Sequence, residues 1–304
     1  MSLLDEIAKK KNDLKKYKKL ENLIINPLRY ENNSWKQVLF QKENLKKKNL
    51  KIISFNIWSN KKYLKERMEW LIELLEEKNP DIINFQENTI EASKIFQKSI
   101  FVQKNFFLST FEGQENGFKV SIFSKIPFCN LELRYCKNRP FLKGTFGNNE
   151  LSISCVHLSA ENQIDERKEE LSQVYELHKE IENSIVLGDF NVHSDDELKF
   201  IMEYNYQDLW NDDQSSTFRF SSKKFDRVSY KLKNFGIKKI EIFGKEKKEN
   251  LIISDHFGLF FEVFSATKEV KNEENSTKGI KKTSINYFQS CSVDIDNDDM
   301  IKKK

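Results

Sequence analysis

Six polar groups in this chain each follow directly on a short apolar run, and together they suit metal-assisted phosphoester chemistry. Asn56 follows Ile52-Ile53-Ser54-Phe55, Gln86-Glu87 follows Ile82-Ile83-Asn84-Phe85, and His157 follows Ile153-Ser154-Cys155-Val156. Gly188-Asp189-Phe190-Asn191 follows Ile185-Val186-Leu187, Asp226-Arg227-Val228 follows Phe225, and Ser254-Asp255-His256 follows Ile252-Ile253. Apolar runs of this length bounded by turn residues read as buried strands. Strand ends hold polar groups steady while leaving them open to a ligand.

Glu87 is a carboxylate suited to a hard divalent cation, which takes few protein carboxylates and keeps much of its water. Asn56 either supports that ligand or touches the phosphate. Asp189 and Asn191 lie two apart on an extended segment and so project to one side. Asp189 is then placed to take a proton from an attacking water, with Asn191 orienting it and donating to a phosphate oxygen. His256 is the candidate to stabilise charge on a phosphoryl oxygen, and Asp226 the carboxylate to orient and charge it. Asp255 supports either the metal's water shell or the neighbouring imidazole. His157 is a second candidate phosphate contact, and His193 lies close enough in sequence to reach substrate. His178 falls inside a helix and has no assigned role. Taken singly, each of these is as readily a turn former, a surface acid or a packed histidine.

The elements that position these groups follow from the pattern around them. A helix is expected over 63–78, with Leu64, Met68, Leu71, Ile72 and Leu75 on one face and Asn79-Pro80 as its stop. Further helices are expected near 90–99, 162–182 and 195–203. Strands are expected at 81–86, 106–111, 118–124, 128–136, 150–157, 184–188, 225–231, 236–243 and 257–264, with a turn at Asn116-Gly117. Strand runs with interspersed helices argue a layered sandwich. Residues 1–48 read as a basic leader and linker, with a charged helix to about residue 25 and aromatic anchors at Tyr30, Trp35 and Phe40. Residues 26–48 are thus a linker or a segment packed on the core. Residues 49–265 form the expected catalytic domain, and 266–304 a polar, disordered tail.

The chain has 304 residues and a net charge of +4, with 38% apolar and 32% charged residues. Residues 1–50 hold thirteen Lys/Arg and six Asp/Glu, so the basic excess sits in the leader. That segment is either a polyanion contact or a solvated helix. The four cysteines show no paired spacing and read as reduced thiols. No run approaches the roughly 20 apolar residues of a membrane span, and the first residues lack the order of a signal peptide. An intracellular protein of the nucleus or cytoplasm is expected, with no membrane partner, and Lys9-Lys10-Lys11 would suit a nuclear import signal.

The order and combination of Asn56, Gln86-Glu87, His157-Leu158, Gly188-Asp189-Phe190-Asn191, Asp226 and Ser254-Asp255-His256 resemble the endonuclease/exonuclease/phosphatase superfamily, over about residues 50–264. The resemblance implies an α+β fold, a four-layered αββα sandwich of DNase I type, and phosphoester hydrolysis with Mg²⁺, or alternatively Mn²⁺. It implies Glu87 as metal ligand with Asn56 and Asp255 beside it. It implies Asp189 as water activator, Asn191 on the phosphate, and His256 paired with Asp226. Phe225-Asp226-Arg227-Val228 and Ser254-Asp255-His256-Phe257-Gly258-Leu259 are similar to the tyrosyl-DNA phosphodiesterase 2 branch. That likeness implies DNA with a 5′-phosphotyrosyl end as substrate and topoisomerase II remnants as partners. The sequence leaves the oligomeric state open, with a monomer as the default expectation. Arg227, His193 and Trp210, with Arg134, Arg139 and Arg219, are the candidates to bind the strand. Val192-His193 departs from the branch, which carries an Arg two beyond the Asn. Ser159-Ala160 departs from its Glu-Ser. Other phosphoesterases of the superfamily are the alternatives: an abasic-site endonuclease, a deadenylase, an inositol-phosphate phosphatase or a sphingomyelinase. A silent binding module on the same fold is the alternative of a different class.

Overall fold

The computed structural model describes residues 23–266 except 112–113, 115–118, 137–138, 210–214 and 239. The expected leader helix up to residue 22, the Asn116-Gly117 turn, Trp210 and the tail from 267 lie outside the described residues. In chain order the elements are β1 (Leu23–Ile24), β2 (Leu28–Glu31), β3 (Ser34–Gln37), β4 (Asn49–Asn56), α1 (Leu64–Lys78), β5 (Ile82–Gln86), α2 (Ile90–Lys98) and α3 (Ile100–Asn105). Then come β6 (Phe107–Leu108), β7 (Val120–Ser124), β8 (Asn130–Cys136), β9 (Arg139–Phe146), β10 (Leu151–His157), α4 (Ile164–Leu177) and β11 (Ser184–Asp189). A 3-10 helix at Asp195–Tyr204 leads to β12 (Gln207–Asp208), β13 (Asp226–Lys231), β14 (Phe235–Ile237), β15 (Glu241–Phe243) and β16 (Gly258–Ser265).

One sheet runs β1-β8-β9-β10-β11-β13-β12; the other runs β14-β16-β4-β5-β7-β6-β2-β3, with β15 on β16. Three apolar cores separate four layers. Leu50, Ile52, Ile82, Ile153, Ile185, Leu187 and Val228 pack between the sheets. Ile53, Phe55, Ile83 and Phe85 pack outward against Met68, Leu71 and Leu75 of α1. Val156, Val186 and Phe190 pack outward against Leu171, Val174 and Tyr175 of α4 and Leu198 of the 3-10 helix. This is the expected αββα sandwich, and the period of two along each strand builds it.

That period also aims the polar residues. In β4, β10, β11 and β13 the positions Asn56, His157, Asp189 and Asp226 share the parity of the central-core residues and lie at one end of their strands. β4 and β5 are parallel with Asn56 opposite Gln86, and β10 and β11 are parallel with His157 opposite Asp189. β13 runs antiparallel, so its first residue, Asp226, meets Asp189. β16 is antiparallel to β4 with Leu259 opposite Ser54, which brings the preceding His256 to the same edge. Four strand ends from two sheets therefore converge.

Several expectations change. Of the two readings of residues 26–48, the structure shows the packed segment: β2 and β3 extend one sheet through β6. The expected leader helix does not run to residue 25, because Leu23–Ile24 form β1 and extend the other sheet through β8. β9 was not expected, because Pro140 and Gly144 interrupt its pattern. Pro140 faces Tyr135, and Gly144 leaves room for the Phe128 ring, 3.1 Å from where a Cβ would sit. The third long helix ends at Leu177, short of 182, and its C-cap is His178.

Candidate active site

Asn56 is the hub. It is wholly buried, and its Nδ2 donates to Glu87 Oε1 at 3.1 Å and to Asp189 Oδ2 at 3.0 Å. Its Oδ1 accepts from the Trp58 backbone N–H at 3.0 Å, which fixes the amide's orientation. Glu87 takes the left-handed conformation, φ 57°, just past the end of β5. Its Oε2 accepts from the Ser59 N–H at 2.8 Å and the Ser59 hydroxyl at 2.7 Å. Burial opposes its charge, but the His157 imidazole and the Ser59 and Asn56 donors outweigh burial and hold Glu87 below the ordinary carboxylate range.

Asp189 ends β11 after Gly188. Gly188 has φ 139°, and a Cβ there would lie 2.0 Å from the Val156 carbonyl oxygen, so no side chain fits. Asp189 Oδ1 accepts from the Asn191 N–H at 2.9 Å, an Asx turn. Asn191, φ 50°, donates one amide proton to the Leu158 carbonyl at 3.0 Å and keeps the second. His157 Nε2 and His256 Nε2 lie 3.5 and 3.7 Å from Asp189 Oδ2. Burial drives the His157 pKa down against the pull of Asp189 and Glu87.

His256 and Asp226 form a pair across the two sheets, Nδ1 to Oδ2 at 2.8 Å. Burial disfavours the imidazolium, but Asp226, Asp189 and Asp255 outweigh it and raise the His256 pKa to about 10. Burial pushes Asp226 up to about 6, still ionised at neutral pH. Ser254 secures the segment: its hydroxyl donates to the Asn56 carbonyl at 2.6 Å and accepts from the His256 N–H at 3.1 Å. Thr217 accepts from the Asp226 N–H at 3.0 Å.

Ligand atoms of Asp189, Asp226 and His256 lie within 4.8 Å of one another. A protonated imidazole has no lone pair for a metal, however, and its Nδ1 is already engaged by Asp226. Glu87 and Asp255 suit a hard cation better. Burial, and then the Glu87 charge, push the half-buried Asp255 carboxyl above its ordinary range. A divalent cation would relieve that repulsion.

Arg227 is not at the site. Adjacent strand residues face opposite ways, and Arg227 turns outward from Asp226. It is 3% exposed and donates to Asp208 at 2.8 Å, to Asp195, and to the Lys224 carbonyl at 3.0 Å. It pins the 3-10 helix to its sheet. His193 sits at the rim, its ring 5.4 Å from Phe225, which in turn lies 6.2 Å from His256. Arg134 pairs with Glu132 on its own strand. Arg219 donates to the Gly244, Lys245 and Ser254 carbonyls. Arg139 lies close enough to feel the Asp189 and Glu87 charges, although burial lowers its pKa. The sequence carried no signal for Ser59, Thr217 or Arg67, which act from loops and from a helix.

The sequence profile of the Endonuclease/Exonuclease/phosphatase family matches residues 53–256. No curated protein matches the chain. Among solved structures, D. rerio TDP2 humanised by 14 mutations has a TM-score of 0.62 at 21% identity, over 72% of this chain and 100% of that one. D. rerio TDP2 complexed with a single-strand DNA product gives the same TM-score, identity and coverage. TDP2 from C. elegans has a TM-score of 0.61 at 17% identity, over 71% of this chain and 75% of that one. At such identities the likeness is one of fold.

Proposed function

The chain belongs to the endonuclease/exonuclease/phosphatase family, and from that premise we propose that it is a metal-dependent phosphodiesterase releasing tyrosine from a DNA 5′ phosphate. The observation that carries the chemistry is the Asn56 amide, which joins Glu87 to Asp189 beside the His256–Asp226 pair. Glu87, with Asp255 beside it, would hold a Mg²⁺ or Mn²⁺. When bound, that ion supplies positive charge to a non-bridging phosphate oxygen.

The protein's own groups perform the rest. Asp189 takes a proton from a water whose oxygen forms the new bond to phosphorus. Asn191 has one amide proton left to steer that water or the phosphate. The His256 imidazolium donates from Nε2 to a phosphoryl oxygen, and Asp226 keeps it charged and aimed. His157, with its pKa lowered, adds a neutral contact. The bond from phosphorus to the phenolic oxygen breaks, and tyrosine leaves as phenolate, pKa about 10 when free. Such a leaving group needs little acid help, and no residue in the cluster is left over as a dedicated acid. The single-strand DNA product bound by D. rerio TDP2 and the Phe225 and Ser254–Leu259 segments support DNA as the substrate class. Arg139, which feels the Asp189 and Glu87 charges, is a basic group near enough to meet it.

The test is a panel: a 5′-phosphotyrosyl single-stranded oligonucleotide, abasic-site duplex, poly(A) RNA and inositol phosphates, each with Mg²⁺ and with EDTA. Metal-dependent tyrosine release, faster than turnover of any other member, is expected. Faster turnover of another member moves the substrate and keeps the mechanism. Silence on all of them by folded protein points to a binding module.

A further inference from the structure

Arg67 lies on the first turn of α1 and is 1% exposed. Its Nη2 donates to the carbonyls of Trp58 and Asn60, each at 2.8 Å. Its guanidinium sits 4.9 Å from the centre of the Trp58 ring. Its Nε and Nη1 are buried without a hydrogen-bond partner among the described residues. Burial lowers its pKa to about 10 against the pull of Asp255 and Glu87, so it stays cationic at neutral pH. A buried, part-satisfied guanidinium is expensive. A Leu or Met would fill the same helix position without that cost, so packing alone does not account for it.

The loop that Arg67 grips does. Trp58 and Tyr63 have φ 59° and 52°, a region that costs a bulky residue energy and persists only when neighbours enforce it. Between the two gripped carbonyls sits Ser59, whose N–H and hydroxyl both bind Glu87 Oε2. The Trp58 N–H holds Asn56 Oδ1, which leaves Nδ2 facing Glu87 and Asp189. A single loop therefore aims both the candidate cation ligand and the amide that links it to the water activator.

We propose that Arg67 is a positioning residue: by clamping the Trp58 and Asn60 carbonyls it holds Ser59 and Trp58 where they orient Glu87 and Asn56 for cation binding. The proposal rests on the reading of Glu87 as a cation ligand. Lysine keeps the charge but cannot span both carbonyls or stack as a plane on Trp58. Mutation of groups that orient metal ligands typically costs about 10- to 100-fold in metal affinity.

The experiment titrates the full chain with Mn²⁺ alone by calorimetry, for wild type, Arg67→Lys, Ser59→Ala and the double variant, with Tm measured beside each. Arg67→Lys is expected to bind Mn²⁺ at least about tenfold more weakly, and Ser59→Ala several-fold more weakly. In the Ser59→Ala background, Arg67→Lys should cost clearly less than it does alone, because both act through one link. An Arg67→Lys variant that loses Tm but keeps wild-type Mn²⁺ affinity overturns the proposal and leaves Arg67 a packing residue. If Arg67→Lys does not fold, unchanged affinity in Ser59→Ala overturns it. Wild type that binds no Mn²⁺, or Glu87→Gln that binds it as well as wild type, overturns the cation reading itself.

Discussion

His178 gives the most quantitative test of the packing. It caps α4 and is wholly buried, with Nε2 2.7 Å from the Ser154 hydroxyl and its carbonyl accepting from Lys231 Nζ at 3.0 Å. Burial first, and then the charges of Lys143, Lys231 and Arg134, lower its pKa from 6.5 to about 3. The folded state therefore holds His178 neutral where the unfolded chain would protonate it. Between pH 6.5 and about 3 the unfolded state binds more protons, so stability falls as pH drops through that window and is unaffected above it. At pH 5 the deficit is about 1.5 pH units, or about 2 kcal/mol at ~1.36 kcal/mol per unit. The assay is urea unfolding of wild type and His178→Gln at about pH 7.5 and pH 5. Other titrating groups are common to both and cancel in the difference. The stability advantage of wild type over the variant should shrink by about 2 kcal/mol at the lower pH. A difference that stays constant to within about 0.5 kcal/mol would refute the picture of a neutral, desolvated His178.

Three further outcomes follow from the site. Asp189→Asn and His256→Ala should each cut turnover more than tenfold in steady-state assays, measured where each variant is folded, with His256→Ala also losing Tm because it leaves the buried Asp226 unpaired; a folded variant that keeps over a tenth of the wild-type rate loses its assigned role. Arg227→Met should cost about 1–3 kcal/mol in urea unfolding by stranding Asp208, with KM for the oligonucleotide unchanged. A raised KM at wild-type stability would return Arg227 to the substrate. Gly188→Ala should lose more than about 2 kcal/mol, because a Cβ has no space under the Val156 carbonyl and the backbone conformation suits glycine; a wild-type Tm would contradict this.

Where a strand ends in a polar residue of core parity, the sequence is legible. Asn56, His157, Asp189 and Asp226 are found from the alternation alone, and the same alternation, applied one residue further, would have turned Arg227 away from the site. His256 is legible from the apolar run before it. β9 was hidden because its pairing is secured by neighbours on both sides while its own pattern is broken by Pro140 and Gly144. β1, β2 and β3 are short edge pieces whose few apolar residues carry no period. Ser59, Thr217 and Arg67 were not legible for another reason. Ser59 and Arg67 act through a loop whose path depends on the left-handed Trp58 and Tyr63, which nothing in their side chains announces, and Thr217 acts from the loop before β13 by a side-chain bond to the Asp226 backbone.

The most direct measurement follows the fate of water oxygen. The 5′-phosphotyrosyl oligonucleotide is cleaved in heavy-oxygen water by wild type and by Asp189→Asn, with Mg²⁺ and with EDTA. The expected result is label in the released 5′ phosphate and none in tyrosine, from wild type with Mg²⁺ only. Label in the tyrosine, equal cleavage in EDTA, or undiminished cleavage by Asp189→Asn would contradict metal-dependent attack at phosphorus by a water that Asp189 activates.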